Sequence, residues 1–388
     1  MKRFGWIILL TAISPGAESI CPPPAELAAD WNLSSFYKKH LTAGGIPILA
    51  SDKVSDFALK EARFLIDQML EGRDDVRQAI VKNKVRLAIM APNELTTCIP
   101  EHSDLTPAKY WDKRARGLGA TKIRPAVSCG EENLLSYRGD PYAAENILIH
   151  EFAHVIHQMG LDAIDSTFDE RLKETYRAAI KAGLWKGTYA ASNRHEYWAE
   201  GVQSWFDTNR ENDNQHNHVD TREELEQYDA ALSALIAKEL GDRPWRYQRP
   251  ASRPADGRKH LEGYDAAMAP VFAWPKELVD WNDSYVKRLA AKKPDSVPLE
   301  MMPAPSDPAK SPPSADDTAI VFVNRRSRAV TLYWVDFDGR KKSYGTLPPG
   351  AERRQSTFAG HRWIISNEND EALAAVVAQS VEGQAVIK

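Results

Sequence analysis

One stretch limits what this chain can become. From Asp140 to Gly160 it reads DPYAAENILIHEFAHVIHQMG, with no glycine or proline between Tyr142 and Met159. The pattern predicts one continuous helix. Asp140 suits its N-cap, Pro141 its first turn, where a missing N–H does no harm, and Gly160 a left-handed C-terminal stop. Ile147, Leu148, Phe152, Val155 and Ile156 make the helix too apolar for a surface. The same helix carries His150, Glu151 and His154, and the two histidines lie one turn apart on one face. Burying two imidazoles and a carboxylate without partners is costly. Two neutral imidazoles at this spacing suit a zinc ion, and Glu151 beside them suits a base that activates water.

A catalytic zinc usually has three protein ligands and an open position. The candidates for the third are His157, His195, Glu196 and Glu200. His157 follows His150 by seven residues, and a straight helix does not easily bring three rings round one ion. It is expected behind the ligands or in the core. A second rich stretch, Arg194 to Phe206, sets Glu196 and Glu200 one turn apart, so that one can bind metal while the other supports it.

HEFAH followed by Glu196-Tyr197-Trp198-Ala199-Glu200 resembles the gluzincin-like catalytic domains of anthrax lethal factor and Mlc titration factor A. The resemblance covers roughly Asn146 to Phe206. It implies a zincin-like fold, Zn2+ held by His150, His154 and Glu196, and hydrolysis of peptide bonds with Glu151 as the base. It also implies that Tyr189, seven residues before Glu196, donates its hydroxyl to the developing oxyanion.

The N-terminus has Lys2 and Arg3, an apolar run from Phe4 to Ile13, then Ser14-Pro15-Gly16-Ala17. That order is a signal peptide over residues 1–17, which predicts a secreted, periplasmic or extracellular protein. The run is too short for a lasting membrane anchor. A net charge of -4 gives no reason to expect nucleic acid or an anionic membrane as partner. In an oxidising compartment Cys98 and Cys129 could pair, leaving Cys21 odd.

Ile20 to Pro47 reads as a polar lead-in. Ser55 to Gly72 reads as an amphipathic helix with Phe57, Leu59, Ala62, Leu65, Ile66 and Met69 on one side. Val85 to Ala91 reads as a strand buried on both faces. Lys122 to Ser128 reads as another, offering its edge to an extended substrate. Gly117, Gly119 and Gly130 mark loops. Further helices are predicted from Asp169 to Gly183, Thr221 to Leu240 and Pro275 to Ala291. Residues 293–316 hold seven prolines and no apolar period, which predicts a stiff linker. After it, Ala319 to Val323, Val330 to Val335, Trp363 to Ser366 and Ala372 to Ala378 read as strands, with a hairpin turn at Asp338-Gly339. The expected class is α+β: a mostly helical metallopeptidase domain with a small mixed sheet over 18–292, and an all-β sandwich over 317–388.

The tail from Asn324 to Trp363 resembles the β domain of the von Hippel–Lindau tumour suppressor. Trp334, Phe337-Asp338-Gly339, Tyr344, Thr346-Leu347-Pro348-Pro349-Gly350, Arg353-Arg354, Gly360-His361 and Trp363 carry the likeness. It implies a pocket for 4-hydroxyproline at Trp334, Tyr344, Thr357, His361 and Trp363. Thr357 stands where that family has serine, and Phe358 where it has tyrosine. The helical domain that joins that family to a ubiquitin ligase has no counterpart here, so no ligase partner is expected. Two readings follow: a zinc peptidase whose tail docks hydroxyproline-bearing or proline-rich substrates, and a secreted binding protein whose metal domain is structural or inactive.

Overall fold

The run around Val85 has no polar face, and burial on both sides is the outcome. In the computed structural model, which describes residues 19–291, 296–305, 309–314 and 316–388, Arg86–Met90 forms a central strand with all five residues buried. Five strands make the first sheet: β1 (Lys39–Ala43), β2 (Ile46–Ala50), β3 (Arg86–Met90), β4 (Gly117–Leu118) and β5 (Ala126–Gly130). Their order is β1-β2-β3-β5-β4, with β2, β3 and β5 parallel and both outer strands antiparallel. The β1–β2 hairpin comes from part of the expected polar lead-in. Its turn needs Gly44 and Gly45, both at positive φ. The strand expected over Lys122 to Ser128 begins later, at Ala126, and is interior rather than an edge. The edge is β4, where a loop was expected at Gly117.

Helices cover this sheet. Ser55 caps Asp56–Met69 by accepting from the Phe57 amide at 3.3 Å, and Leu59, Ala62, Leu65, Ile66 and Met69 are fully buried. Each such aliphatic side chain contributes about 1.5–3 kcal/mol of burial. Phe57 sits at the margin, against the Tyr264 ring. The expected helix over Thr221 to Leu240 is two helices, Arg222–Tyr228 and Ala230–Leu240. Asp229 breaks it because its carboxylate has three tasks. It caps the second helix through Leu232 N and accepts from Trp185 Nε1 and Tyr197 Oη.

The motif helix also differs from expectation. It starts at Ile147, not Pro141, because Asn146 is the cap, accepting from Ile149 N at 3.0 Å. Asp140 instead closes a turn on Tyr142 N. The α-helix runs to Val155, continues as a π-helix over Ile156–Leu161 and ends at Ile164. Gly160 does not stop it; a Cβ there would lie 2.6 Å from Val76 Cγ1, so its role is close packing. Cys98 and Cys129 are free thiols, the first exposed and the second buried in β5. No disulfide forms among the described residues.

The chain divides into two units between Asn282 and Asp283. The second holds β6 (Val297–Pro298), β7 (Asp317–Asn324), β8 (Val330–Val335), β9 (Lys341–Leu347), β10 (Glu352–Phe358), β11 (Arg362–Ser366), β12 (Ala372–Val377) and β13 (Gly383–Ile387). They form two four-stranded sheets, β10-β7-β13-β6 and β12-β11-β8-β9. Ile320 and Phe322 from one and Leu332, Trp363 and Ile365 from the other share a core. Asp338-Gly339 turns β8 into β9 as expected, with Gly339 at φ 86°. β9 and β10 were not legible, since their exposed faces hide the alternation, and β13 was also missed.

The expected linker over 293–316 is, in its described part, a portion of this second unit. Extended proline-rich backbone can still pair with a sheet. Leu299 N donates to Gln384 O at 2.8 Å, and Met302 exchanges both backbone bonds with Ala375. Leu299 and Ser311 are buried. The leader expected over 1–17 lies outside the described residues. Among the described residues no helix is long and apolar enough to cross a membrane.

Candidate functional site

Two helices build the site in the first unit. The second, Arg194–Trp205, is capped by Asn193, which accepts from His195 N and Glu196 N. Trp198 Nε1 donates to Ala153 O at 2.9 Å and ties this helix to the motif helix. Gly201 lets the neighbouring helix close in; a Cβ there would lie 2.5 Å from Leu232 Cδ2. The result is a fixed register between Glu196 and the two histidines.

Three ligand atoms converge. His150 Nε2 and His154 Nε2 are 3.3 Å apart, and Glu196 Oε2 is 3.3 Å from the first and 3.4 Å from the second. The triangle is nearly equilateral. For metal–ligand bonds of about 2.0–2.1 Å, a tetrahedral ion separates its ligand atoms by roughly 3.3–3.4 Å. The residues present therefore fit a tetrahedral ion. Polar satisfaction points the same way: Glu196 Oε2 is buried without a well-aligned hydrogen-bond donor.

The tautomer of His150 follows from its neighbour. Gln203 Nε2 faces two acceptors, Glu145 Oε2 and Asn146 O, so Gln203 Oε1 is the atom turned to His150. His150 Nδ1 donates to it at 2.7 Å, which leaves Nε2 a bare lone pair. Without an ion, a proton must hold the cluster together. Burial alone would lower the His150 pKa, but Glu196, with Glu151 and Glu200, outweighs it and raises it to about 10. Burial would raise Glu196, yet His150 and His154 hold it far below the usual carboxylate range.

Glu200 stands behind the ligands. Its Oε1 lies 3.5 Å from His150 Nδ1, and its Oε2 accepts from Asn209 Nδ2 and lies 3.2 Å from His216 Nε2. His157 does not share this role. It lies in the π-helix and faces Asp169 at 3.2 Å and Asp162 at 3.7 Å. His195 stacks on His157 and stays out of the triangle. Of the two places expected for His157, the second is found: it is buried in the core with its own carboxylate partners, and it does not support the triangle.

Glu151, Tyr189 and His150 share a cleft of about 260 Å³ with Arg114, Arg210 and His216. Burial raises the Glu151 pKa, as suits a group that takes up a proton. Burial, with Glu196, pushes the Tyr189 phenol up to about 12, so it keeps its proton and can donate. The chain just after β4 closes over the helix at a glycine: a Cβ on Gly119 would be 3.2 Å from His154 Cβ and 3.4 Å from Glu151 Oε2. Sequence reasoning missed Gln203, Asn209, His216 and Gly119. Gln203 had a signal, since Glu196, Glu200 and Gln203 follow helical spacing on one face. His216 and Asn209 come from loops and had none.

In the second unit all five expected pocket residues come together. Trp363 Nε1 donates to Thr357 Oγ1 at 3.1 Å, and Thr357 Oγ1 lies 3.3 Å from His361 Nδ1. Tyr344 meets the Trp363 ring edge-on at 4.8 Å between centroids, and Trp334 lies 5.2 Å from His361. Phe337 and Phe358 flank His361 and are partly exposed. His361 Nε2 and Trp334 Nε1 are buried without partners, so the pocket holds unspent polar capacity. Trp363 also belongs to the core. Residues 310–380 match the family model of the VHL beta domain, and the C-terminal unit is similar to that domain.

Proposed function

We propose that this chain is a secreted zinc-dependent metallopeptidase of zincin-like fold, with a C-terminal module that binds hydroxyproline-bearing or proline-rich protein substrates. The observation that carries the peptidase reading is the 3.3–3.4 Å triangle of His150, His154 and Glu196. Its edges suit the small tetrahedral ion that nitrogen and oxygen ligands prefer. The antiparallel edge strand β4, passing over Glu151, supports binding of an extended peptide beside the triangle.

Zinc bound there supplies Lewis acidity toward the scissile carbonyl and toward water. The chain's own residues do the rest. Glu151 takes a proton from the attacking water and delivers it to the leaving nitrogen. Tyr189 donates its hydroxyl to the carbonyl oxygen as charge develops. Gln203 and Glu200 hold His150 in the tautomer that leaves Nε2 free. In the C-terminal unit, Trp334, Tyr344 and Trp363 offer aromatic faces to a pyrrolidine ring. Thr357 and His361 offer partners to its hydroxyl.

The test is cleavage of a peptide library by the zinc-loaded full chain. Glu151→Gln should lower turnover by about 10²-fold or more while zinc stoichiometry stays at one. Cleavage that needs no zinc, or that Glu151→Gln leaves intact, overturns the reading and favours a non-catalytic binding protein. For the module, calorimetry compares hydroxylated and plain proline peptides; equal affinities remove the proposed selectivity.

A further inference from the structure

Three arginines line the cleft beside the triangle. Two are neutralised by the chain itself. Arg116 is fully buried and pairs with both oxygens of Glu132, at 2.5 and 2.9 Å. Arg210 is held by Glu145 at 3.0 Å and Asp213 at 3.3 Å. Arg114 differs. It ends the helix Ala108–Arg114, is exposed, and among the described residues has no carboxylate within 4.0 Å.

Neutral aromatic partners fix it at the cleft instead. Its guanidinium lies 5.6 Å from the Trp111 ring centroid, and it lines the same cleft as Tyr189, near enough for its charge to act on the phenol. Its own backbone carbonyl accepts from Tyr142 Oη at 2.8 Å. A guanidinium has five N–H donors in a planar fork, and the ring of Trp111 uses none of them as a hydrogen-bond donor to oxygen. Such a fork matches a carboxylate bidentately. It shares the cleft lining with Tyr189, the group proposed to meet the scissile carbonyl.

We propose that Arg114 receives a carboxylate of the substrate next to the scissile bond. This rests on the hydrolytic reading of the same site. The carboxylate has two sources, the C-terminus of a peptide trimmed near its end, or an acidic side chain beside the cleaved bond. A free guanidinium beside the carboxylates Glu145, Glu151 and Glu200 is also the one place in this lining, among the described residues, where an anion gains an unpaired cation.

The experiment separates this inference from the peptidase reading by using the full chain stripped of metal. Ligand-observed NMR titrations compare N-acetylalanine, N-acetylalanine amide and N-acetylaspartate α-amide. At least one acid should bind about tenfold more tightly than the neutral amide, as expected for a charge-assisted pair. Arg114→Gln should erase that difference, Arg114→Lys should keep part of it, and raising salt from about 0.05 to about 0.5 M should weaken it. Preference for N-acetylalanine assigns a C-terminal carboxylate; preference for the aspartate α-amide assigns an acidic side chain. Acids that bind no better than the amide overturn the proposal, as does a preference that survives Arg114→Gln in a variant with wild-type thermal unfolding. With the zinc-loaded enzyme, Arg114→Gln should raise KM for the preferred acid substrate by a larger factor than KM for its amide. If that enzyme cleaves nothing, the peptidase reading fails while the apoprotein titration still decides Arg114.

Discussion

Replacing Gln203 with leucine should weaken zinc binding without unfolding the protein. Gln203 Oε1 is the acceptor that His150 Nδ1 meets at 2.7 Å in a buried setting, and it decides which ring nitrogen keeps the lone pair. Loss of such a supporting acceptor typically costs 10–100-fold in metal affinity, or about 1.4–2.7 kcal/mol. Here Glu200 Oε1 lies 3.5 Å from the same Nδ1 and can move in. The single variant should therefore sit near the lower end of that range. Gln203→Leu with Glu200→Leu should reach the upper end, because neither acceptor remains. Leucine fills most of the glutamine volume, so packing in the helix Arg194–Trp205 changes little. Competition against a chromophoric chelator at neutral pH reads the affinity, and circular dichroism checks the fold. If the double variant binds zinc as tightly as the wild type, the assigned role of His150 Nδ1 is wrong.

Three further outcomes follow from single contacts. Gly119→Ala should cut turnover by about tenfold or more, because its Cβ presses on His154 Cβ and Glu151 Oε2, while the melting temperature moves by only a few degrees. Thr357→Val should lower hydroxyproline-peptide affinity to that for plain proline, read by calorimetry. It should also cost about 1–3 kcal/mol in denaturant unfolding, since Trp363 Nε1 loses its buried acceptor. Glu131 carries a pH signature. Burial raises its pKa to about 7, against the Ser55 N–H it accepts at 2.7 Å. The folded state then holds a proton that the unfolded state releases near pH 4.5, so stability should fall as pH rises from about 4.5 to about 7. Glu131→Gln should remove that part of the slope in melting curves taken across this window.

How far the sequence reached can be judged residue by residue. His150, Glu151 and His154 were legible because an apolar helix fixes their spacing locally. Glu196 needed a resemblance, since nothing in one helix says where another will dock. Tyr344, Thr357, His361 and Trp363 were legible through a run of matched residues from Trp334 onward, and they meet across both sheets of the C-terminal unit. The reading failed where a side chain had competing partners. Asp140 and Asp229 were each judged by chain position, but one closes a turn and the other breaks a helix. It also failed for strands with exposed faces, such as β9, where six of seven residues are exposed.

By itself the sequence determined that a buried helix would carry two histidines and a glutamate, that the tail would be β-structure, and that the described part of 293–316 would hold no helix. These depend on periodicity and on backbone limits, which act within a few residues. Only the tertiary structure decided that Glu196 meets the histidines, that Gln203 selects the His150 tautomer, and that His157 pairs with Asp169 instead. It also decided that the proline-rich segment joins a sheet. Those outcomes depend on distances between elements, and such distances arise only when whole faces pack and every buried polar group must find a partner.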